Sequence, residues 1–321
     1  MARNVNDRDT APLLSAAQRW IESCLLADGS LLDDQPLWRV QLIEELRAAF
    51  VDHPDTGDDD FMTKLQGQMQ AASPAGRQLM AEMMWALLLF PSNIGAEKKR
   101  QHVQEIWSWS EEALPPGNPM LDSLVLQGVG SAGTAYNNLR WKELAYLIAL
   151  VQSIKTKSTA ERKAIFDDYD QFMEWIESVP RDGDRQFRHM LRYLAYPDRV
   201  ERMSSNRDRN SVLEGFKVAP RAQLKNWTDR QLDDALLKLR KEGEAKYPGK
   251  ALDFYEPPLE AQWRPAKPSD ETVAPIVAQE PSPEEPSSLN AAHAPIPQMA
   301  EPTNLIVYGP PGTGKTHWLR E

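Results

Sequence analysis

The residues best suited to do chemistry stand near the end of the 321-residue sequence, where positions 309–316 match the pattern G-x-x-x-x-G-K-T. In such a phosphate-binding loop, successive backbone N–H groups surround the β-phosphate of a nucleotide. Lys315 would reach the β- and γ-phosphates, and the Thr316 hydroxyl would ligate Mg²⁺. The predicted nucleotide contacts are Gly309, Pro310, Pro311, Gly312, Thr313, Gly314, Lys315 and Thr316.

The surroundings of this loop predict the start of a nucleotide-binding domain. Residues 304–308 are a short apolar, β-branched run that predicts the buried strand preceding such a loop. Hydrolysis also needs an acidic residue on a second strand and a water-positioning group, and neither follows Thr316 in this sequence. We therefore predict that a longer parent protein would be a P-loop ATPase or GTPase that uses Mg²⁺. This chain alone is predicted to be inactive, with no catalytic residues of its own.

A second candidate site is a run of arginines with helical spacing. Arg181, Arg185, Arg188 and Arg192 follow one another at intervals of four, three and four residues, which places them on one face of a helix. Such a face suits phosphate groups, so these residues are possible nucleic-acid contacts. The alternative is ion pairing with carboxylates of the chain. His189 lies in the same helix without a second His or Cys at metal-ligand spacing, so we expect it to be structural.

A third pattern is G-x-G-x-x-G at Gly128, Gly130 and Gly133. A dinucleotide site would also need a second strand that ends in an acidic residue about 20 residues further on. The chain continues instead into a helical stripe that includes Trp141. We therefore expect a tight turn or a close backbone approach at these glycines, with Tyr136 and Trp141 packed beneath them.

Composition and charge limit the class of protein. The net charge of −10 argues against indiscriminate adhesion to nucleic acids or membranes, although it leaves room for a local basic face. Cys24 is the single cysteine and shares a helical apolar stripe with Leu13, Ala17 and Trp20, which fits a reducing compartment. The N-terminus lacks the apolar core of a signal peptide, and no apolar run approaches transmembrane length. We predict a cytoplasmic protein without a membrane partner.

The patterns divide the chain into four parts. Residues 1–160 predict a helical N-terminal domain, and residues 161–263 predict a second helical, arginine-rich subdomain. Residues 264–302 hold nine of the 25 prolines and few apolar side chains, which predicts a disordered Pro-rich linker. Residues 303–321 would begin the P-loop domain. The expected fold is a mainly α N-terminal region, α or α+β, followed by the linker and by the first strand and P-loop of an incomplete α/β domain.

Three upstream segments, together with the loop, resemble McrB-like AAA+ proteins. Residues 187–205 read FRHMLRYLAYPDRVERMSS and resemble the HxLxYLxFPDxFERIxS segment upstream of the ATPase module in that family. Residues 128–144 are similar to its GxGxxGTxYNxxRWxEL element, and residues 253–263 are similar to its FYxxPL element with a following Trp. The four elements also keep the order that the family shows. The domain that begins at residue 303 is accordingly identified as the start of an AAA+ module.

This resemblance implies the motor subunit of a modification-dependent restriction or related phage-defence system, truncated just after the Walker A loop. Its N-terminal region would recognise DNA or another trigger, and a separate McrC-like nuclease would cut. A homo-oligomeric ring would need the full AAA+ domain, and the choice between ATP and GTP stays open. Two hypotheses follow for the N-terminal region. In the first, it is a recognition or regulatory region whose arginine helix touches nucleic acid or positions a partner. In the second, it is a protein-interaction or sensor module with no DNA-binding role.

Overall fold

The computed structural model describes residues 8–55 and 57–264. Within these ranges the protein is mainly helical and holds no β-strand, which confirms the predicted α character of this region. The predicted strand at residues 304–308, the phosphate-binding loop and residues 265–302 of the predicted linker lie outside these ranges and stay predictions. No helix in the described part of the chain is long and apolar enough to cross a membrane.

Helices joined by short turns build the described part of the chain. In its first half they are α1 (Ala11–Trp20), α2 (Val40–Leu46), α3 (Phe61–Met69), α4 (Pro74–Leu89), α5 (Ala96–Ser108), α6 (Ser123–Leu126), α7 (Gly133–Asn138) and α8 (Arg140–Lys155). In its second half they are α9 (Thr159–Asp167), α10 (Tyr169–Ser178), α11 (Phe187–Ala195), α12 (Asn206–Gly215), α13 (Arg221–Leu224) and α14 (Asp229–Lys246). Two π-helical turns, Ile21–Leu26 and Arg47–Val51, follow α1 and α2 directly.

Side chains that satisfy free backbone N–H groups fix where several of these helices begin. Asp60 caps α3 by accepting hydrogen bonds from the Met62 and Thr63 N–H groups at 2.8 and 3.2 Å. Ser158 and Thr228 begin α9 and α14 with reciprocal capping boxes. Each of these caps lies directly before a helix, so the local sequence favours a helix start at these positions.

Helix α4 is the centre of the first apolar core. Nearly every residue of this helix is buried, as expected for a helix that is apolar on all sides. Its one carboxylate, Glu82, accepts hydrogen bonds from the N–H groups of Leu31 and Leu32 at 2.9 and 2.8 Å and from Trp38 Nε1 at 2.5 Å. Ser30 donates a further hydrogen bond to it. Because donors surround the carboxylate, Glu82 ties the loop after α1 to the central helix instead of leaving an unpaired buried charge.

Two apolar cores lie within the single compact unit to which the described residues belong. The first core runs from Leu13 to Val200 and the second from Met203 to Leu259. The first core continues through position 160, so the predicted domain boundary there is not marked by a change of core. The stripe predicted around Cys24 is buried in the first core, as expected from its helical spacing.

The glycines at positions 128–133 form a close backbone contact. Gly128 has φ +74°, and a Cβ atom at this position would lie 2.2 Å from the Pro91 carbonyl oxygen. The Ser92 N–H donates to the Gly130 carbonyl at 2.8 Å, and an isolated parallel bridge joins Pro91 and Gly130. The run before these glycines is the helix α6, so the strand that a dinucleotide site requires is not formed. The expected close approach is therefore confirmed.

Alanine at Gly128 should lower the free energy of unfolding by more than alanine at Gly133. Both glycines have φ near +73°, so both changes carry the strain of about 1–2 kcal/mol that a side chain meets there. Only the Gly128 side chain would also collide with backbone, at Pro91, and this overlap adds about 1–3 kcal/mol. Chemical denaturation of Gly128→Ala and Gly133→Ala measures the difference. Equal losses would show that the contact with Pro91 relaxes without cost.

Candidate functional site

The phosphate-binding loop at residues 309–316 lies outside the described residues. Its contacts to nucleotide and Mg²⁺, including those of Lys315 and Thr316, therefore stay predictions. The described residues contain no group of three His, Cys, Asp or Glu side chains that could hold a metal ion. Within residues 8–55 and 57–264, three features bear on function: the arginine helix, a junction of three separated segments, and a surface groove.

The arginine helix lies in the interior of the protein. Arg188 and Arg192 belong to α11, Arg185 precedes it by two residues, and all three side chains are buried. Arg181 lies in the loop before the helix and is exposed. The predicted common face of the helix thus contacts protein. Of the four predicted nucleic-acid contacts, Arg181 alone is accessible to a ligand as large as DNA.

A group of buried charges explains why these arginines point inward. We call this group the charge cluster; it consists of Arg188, Arg192, Arg209, Asp229 and Asp233. Arg192 Nη1 lies 3.2 Å from Asp233 Oδ2 and 3.4 Å from Asp229 Oδ2, and Arg188 contacts the same Asp229 oxygen. Arg209 Nη1 donates to Asp229 Oδ1 at 3.2 Å. The cluster therefore joins α11 of the first core to α12 and α14 of the second.

The charges of the cluster are nearly balanced by its surroundings. Three guanidinium groups face two buried carboxylates, and the half-exposed Asp184 accepts a hydrogen bond from Arg188 Nη2 at 2.9 Å. Tyr169 of α10 donates its hydroxyl hydrogen to Asp233 Oδ2 at 2.8 Å. Burial alone would raise the pKa of Asp229, but the three arginines outweigh it and hold that pKa below its ordinary value. Asp229 is thus an ionised partner of the arginines at neutral pH.

His189 sits beside the cluster as a neutral side chain. Burial and the neighbouring arginines, of which Arg209 has the largest effect, hold the pKa of His189 well below its ordinary value. Its Nδ1 atom lies 2.5 Å from Arg192 Nη2 and is the acceptor of that hydrogen bond. This geometry fits the expected structural role, because an imidazole that accepts from a buried arginine is fixed in one tautomer.

The carboxylates of the cluster were missed by the sequence analysis. Asp229 and Asp233 stand one helical turn apart, and the apolar Leu232 and Leu236 alternate with them on α14. Acidic residues that alternate with apolar residues on the buried side of a helix could have indicated this cluster in the sequence. Such acids must find cationic partners inside the protein. Arg188 and its partner Asp229, for example, lie 41 residues apart along the chain. The spacing of residues in the sequence could therefore not connect them.

Three separated segments meet at one junction around Arg202. Its Nε and Nη2 atoms bind both carboxylate oxygens of Asp253, at 2.5 and 3.0 Å, and its Nη1 donates to the Val129 carbonyl at 3.2 Å. Its guanidinium group also stacks over Tyr255, 4.9 Å from the ring centroid. Residues 128–144, 187–205 and 253–263 are thereby brought into contact. These are the three upstream segments on which the resemblance rests.

Two further contacts hold the same segments together. Ser204 donates its hydroxyl hydrogen to the Ser131 carbonyl at 2.8 Å. Glu143 of α8 accepts from the N–H groups of Gln186 and Phe187 at 3.1 and 2.9 Å, and so satisfies the free N-terminus of α11. Burial raises the pKa of Glu143 above its ordinary value, although these hydrogen bonds oppose it. The junction thus has polar contacts at both ends of residues 187–205.

A surface groove opens beside the break between α7 and α8. We call it the Trp141 groove; it has a volume of about 430 Å³. The lining residues that bear on its chemistry are Phe50, Phe61, Lys64, Asn137, Arg140 and Trp141. Leu139 separates the two helices with φ −110° and ψ 25°, and this interruption turns Trp141 outward. Trp141 is 45% exposed, whereas Tyr136 is buried with its hydroxyl bound to the Leu87 carbonyl at 2.7 Å.

Of the two aromatic side chains predicted to pack beneath the glycines, Tyr136 is buried as expected, whereas Trp141 is not. Both side chains fall in the same stretch of sequence, but the helix break changes the direction of the second. An exposed Trp in a concave surface is a feature that helical periodicity could not reveal.

The chain was also compared with known proteins. It matches no protein-family model, and neither a curated protein nor a solved structure shows significant similarity to it.

Proposed function

We propose that this chain is the N-terminal recognition and regulatory region of a McrB-like AAA+ NTPase that acts in DNA restriction or phage defence. The observation that carries the proposal is the junction around Arg202. The segments that resemble the family lie far apart along the chain: 43 positions separate residues 144 and 187, and 48 positions separate residues 205 and 253. Their mutual contact is what one cooperating module requires.

The sequence after the junction supports the same proposal. The described chain reaches Arg264 directly after the third segment, and the predicted linker and phosphate-binding loop follow it. Mg²⁺ with ATP or GTP would bind at the loop, a homo-oligomeric ring would form through the complete AAA+ domain, and a McrC-like nuclease would be the partner that cuts. The described helical region would then sense a trigger and influence the ring through the linker.

The burial of the arginine helix favours a protein-interaction or sensor role over DNA binding through that helix. Arg185, Arg188 and Arg192 neutralise carboxylates of the chain and cannot at the same time neutralise phosphates. Arg185 Nη1, for example, lies 3.5 Å from Glu143 Oε1, and both side chains are buried. A surface that binds nucleic acid needs several accessible cations on one face. We therefore propose that the described region recognises its trigger without this helix.

Phage restriction tests the proposal as a whole. The full-length parent protein, expressed together with the products of its neighbouring genes, should reduce plaque formation by at least some phages. The variant Lys315→Ala should abolish this protection, because the loop lysine contacts the β- and γ-phosphates in P-loop NTPases. Lys225→Ala, at an exposed lysine outside the loop, serves as the control and should retain protection. Protection that persists in Lys315→Ala would overturn the assignment to a nucleotide-driven motor.

DNA binding by the purified chain separates the two versions of the recognition role. At about 50 mM salt, we expect the wild-type chain to bind modified and unmodified duplex DNA no more tightly than the variant Arg181→Ala does. Arg181 is the appropriate residue to change, because it is the accessible member of the four arginines. Strong binding that weakens steeply with salt would instead show a DNA-reading surface. A triple substitution of Arg185, Arg188 and Arg192 is unsuitable here, since it would leave buried carboxylates unpaired and unfold the protein.

A further inference from the structure

We infer that residues 201–264 form a lobe that separates from the first core as a folded body, and that the charge cluster holds this lobe in its closed arrangement. The inference goes beyond the proposed function and does not rest on it, because it concerns the described helices alone. Three properties of the protein lead to it. The lobe has an apolar core of its own, polar side chains join it to the first core, and the charge cluster leaves buried guanidinium nitrogens without partners.

Contacts within the lobe hold it together. Helix α12 packs against both α13 and α14 around the second core. The buried Arg240 binds both carboxylate oxygens of Glu201. Trp263 Nε1 donates to the Phe254 carbonyl at 2.6 Å, which ties the end of the lobe to its core. None of these contacts involves the first core, so they persist when the lobe moves away from it.

Polar side chains join the lobe to the first core. Besides the ion pairs of the charge cluster, Arg230 of α14 pairs with Asp170 of α10 at 2.8 Å, and Tyr169 of α10 donates to Asp233 of α14. The buried apolar side chains, in contrast, fall into two separate clusters. Burial of apolar surface is the dominant favourable term in folding. Each body therefore keeps its main source of stability when the two separate.

Hydration offsets the loss of the ion pairs when the lobe opens. Charges are costly to remove from water, so a buried ion pair contributes little net stability compared with the same charges in water. The Nε atoms of Arg192 and Arg209 are also buried without a hydrogen-bond partner in the closed arrangement. Opening gives these N–H groups access to water. The charge cluster thus holds the lobe less firmly than its number of ion pairs suggests.

The chain connection between the two bodies lies next to Arg202. Residues 196–200 connect α11 to the lobe. Arg202 donates to the Val129 carbonyl and Ser204 donates to the Ser131 carbonyl, and both contacts begin within four residues of this connection. A rotation about the connection moves groups close to it the least. The junction around Arg202 therefore stays formed while α14 moves away from α11.

Distances between two spin labels test the inference. In the full chain carrying Cys24→Ala, the exposed positions Glu174 of α10 and Lys241 of α14 are changed to cysteine and labelled. Double electron–electron resonance should show one main distance at about 50 mM salt and a second, longer distance at about 1 M, where the screening length falls to about 3 Å. Salt favours the open arrangement because the charges of the cluster meet water and ions only after separation.

Variants of the contact between the two bodies should change the open fraction. Arg230→Ala removes an exposed ion pair with the first core and should raise the ratio of open to closed protein about two- to five-fold at the same salt concentration. Lys238→Ala, at an exposed lysine of the same helix, is the matched control and should leave the ratio unchanged. Asp233→Ala should raise the ratio further, and Arg230→Ala keeps the test decisive if that variant fails to fold.

Label pairs within one body distinguish opening from unfolding. Glu105 with Glu174 reports on the first core, and Lys225 with Lys241 reports on the lobe; all four positions are exposed. Each of these pairs should keep a single distance under every condition. The inference is overturned if the pair at Glu174 and Lys241 keeps its single distance in Arg230→Ala at about 1 M salt. It is also overturned if longer distances appear in a pair within one body at the same salt concentration, or if Lys238→Ala acts as strongly as Arg230→Ala.

Discussion

Replacing Asp233 with alanine should lower the free energy of unfolding by about 3–5 kcal/mol. The side chain of Asp233 is fully buried, lies 3.2 Å from Arg192 Nη1, and accepts the hydroxyl hydrogen bond of Tyr169. Without it, the guanidinium groups of Arg192 and Arg209 would share the single remaining buried carboxylate of the cluster. Removing one partner is costly because the other charges stay buried, even where the intact pair contributes little net stability.

The neighbouring residue provides the control for this change. Asp234 lies on the same helix, is about half exposed, and pairs with Arg199 at 3.0 Å. Alanine there should cost less than about 1 kcal/mol, since solvent screens an exposed ion pair. Urea denaturation followed by circular dichroism measures both variants, with the slope of the transition showing whether each still unfolds in one step. Similar losses for Asp233→Ala and Asp234→Ala would contradict the burial argument.

A double variant identifies the cause of the loss. If Asp233→Ala acts by leaving arginine charge unpaired, then Arg209→Met in the same chain should restore part of the stability. The summed effects of the two single variants would then exceed the effect of the double variant, as expected for side chains in one network. Strict additivity would mean that the carboxylate and Arg209 contribute independently, and the cluster would no longer be a single unit.

The arginine helix shows what sequence periodicity can and cannot predict. The spacing of Arg188 and Arg192 correctly places them on one side of α11, because that spacing follows from helix geometry alone. What that side contacts depends on Asp229 and Asp233, which come from a helix far along the chain. Ion pairing with carboxylates was one of the two alternatives that the sequence left open, and the structure shows it for the buried arginines.

The glycine segment shows the same limit at shorter range. Close packing at Gly128 was predictable, since the sequence lacks the second strand with an acidic end that a dinucleotide site needs about 20 residues further on. The outward turn of Trp141 was not, because it depends on a helix break at Leu139, a residue with no strong breaking tendency of its own. The mainly α character was predictable from apolar spacing over many residues, where single errors have little effect.

Lys99 leads to the second large expected effect, a gain of stability on substitution. Its side chain is fully buried in α5, and Nζ has no hydrogen-bond partner. Burial lowers the pKa of Lys99 to about 7, and no carboxylate opposes this change. The unfolded chain keeps the ordinary value of 10.5, so between pH 7 and 10.5 the unfolded state binds more protons than the folded state. Stability should therefore rise with pH across this window and fall toward pH 7.

The variant Lys99→Met removes this dependence. Each pKa unit corresponds to about 1.4 kcal/mol of free energy of unfolding. Beyond any gain from packing, which is the same at both pH values, the free energy of unfolding of the variant should exceed that of the wild type by about 4 kcal/mol at pH 7 and by less than about 1 kcal/mol at pH 10. Urea denaturation at both pH values measures the difference, and taking variant minus wild type cancels groups common to the two proteins. Lys98→Met, exposed and adjacent, should change stability by less than about 0.5 kcal/mol at either pH. An advantage of Lys99→Met that is equal at pH 7 and pH 10 would mean that Lys99 binds its proton as tightly in the folded protein as in the unfolded chain, so that burial does not lower its pKa, and the effect would then come from packing alone.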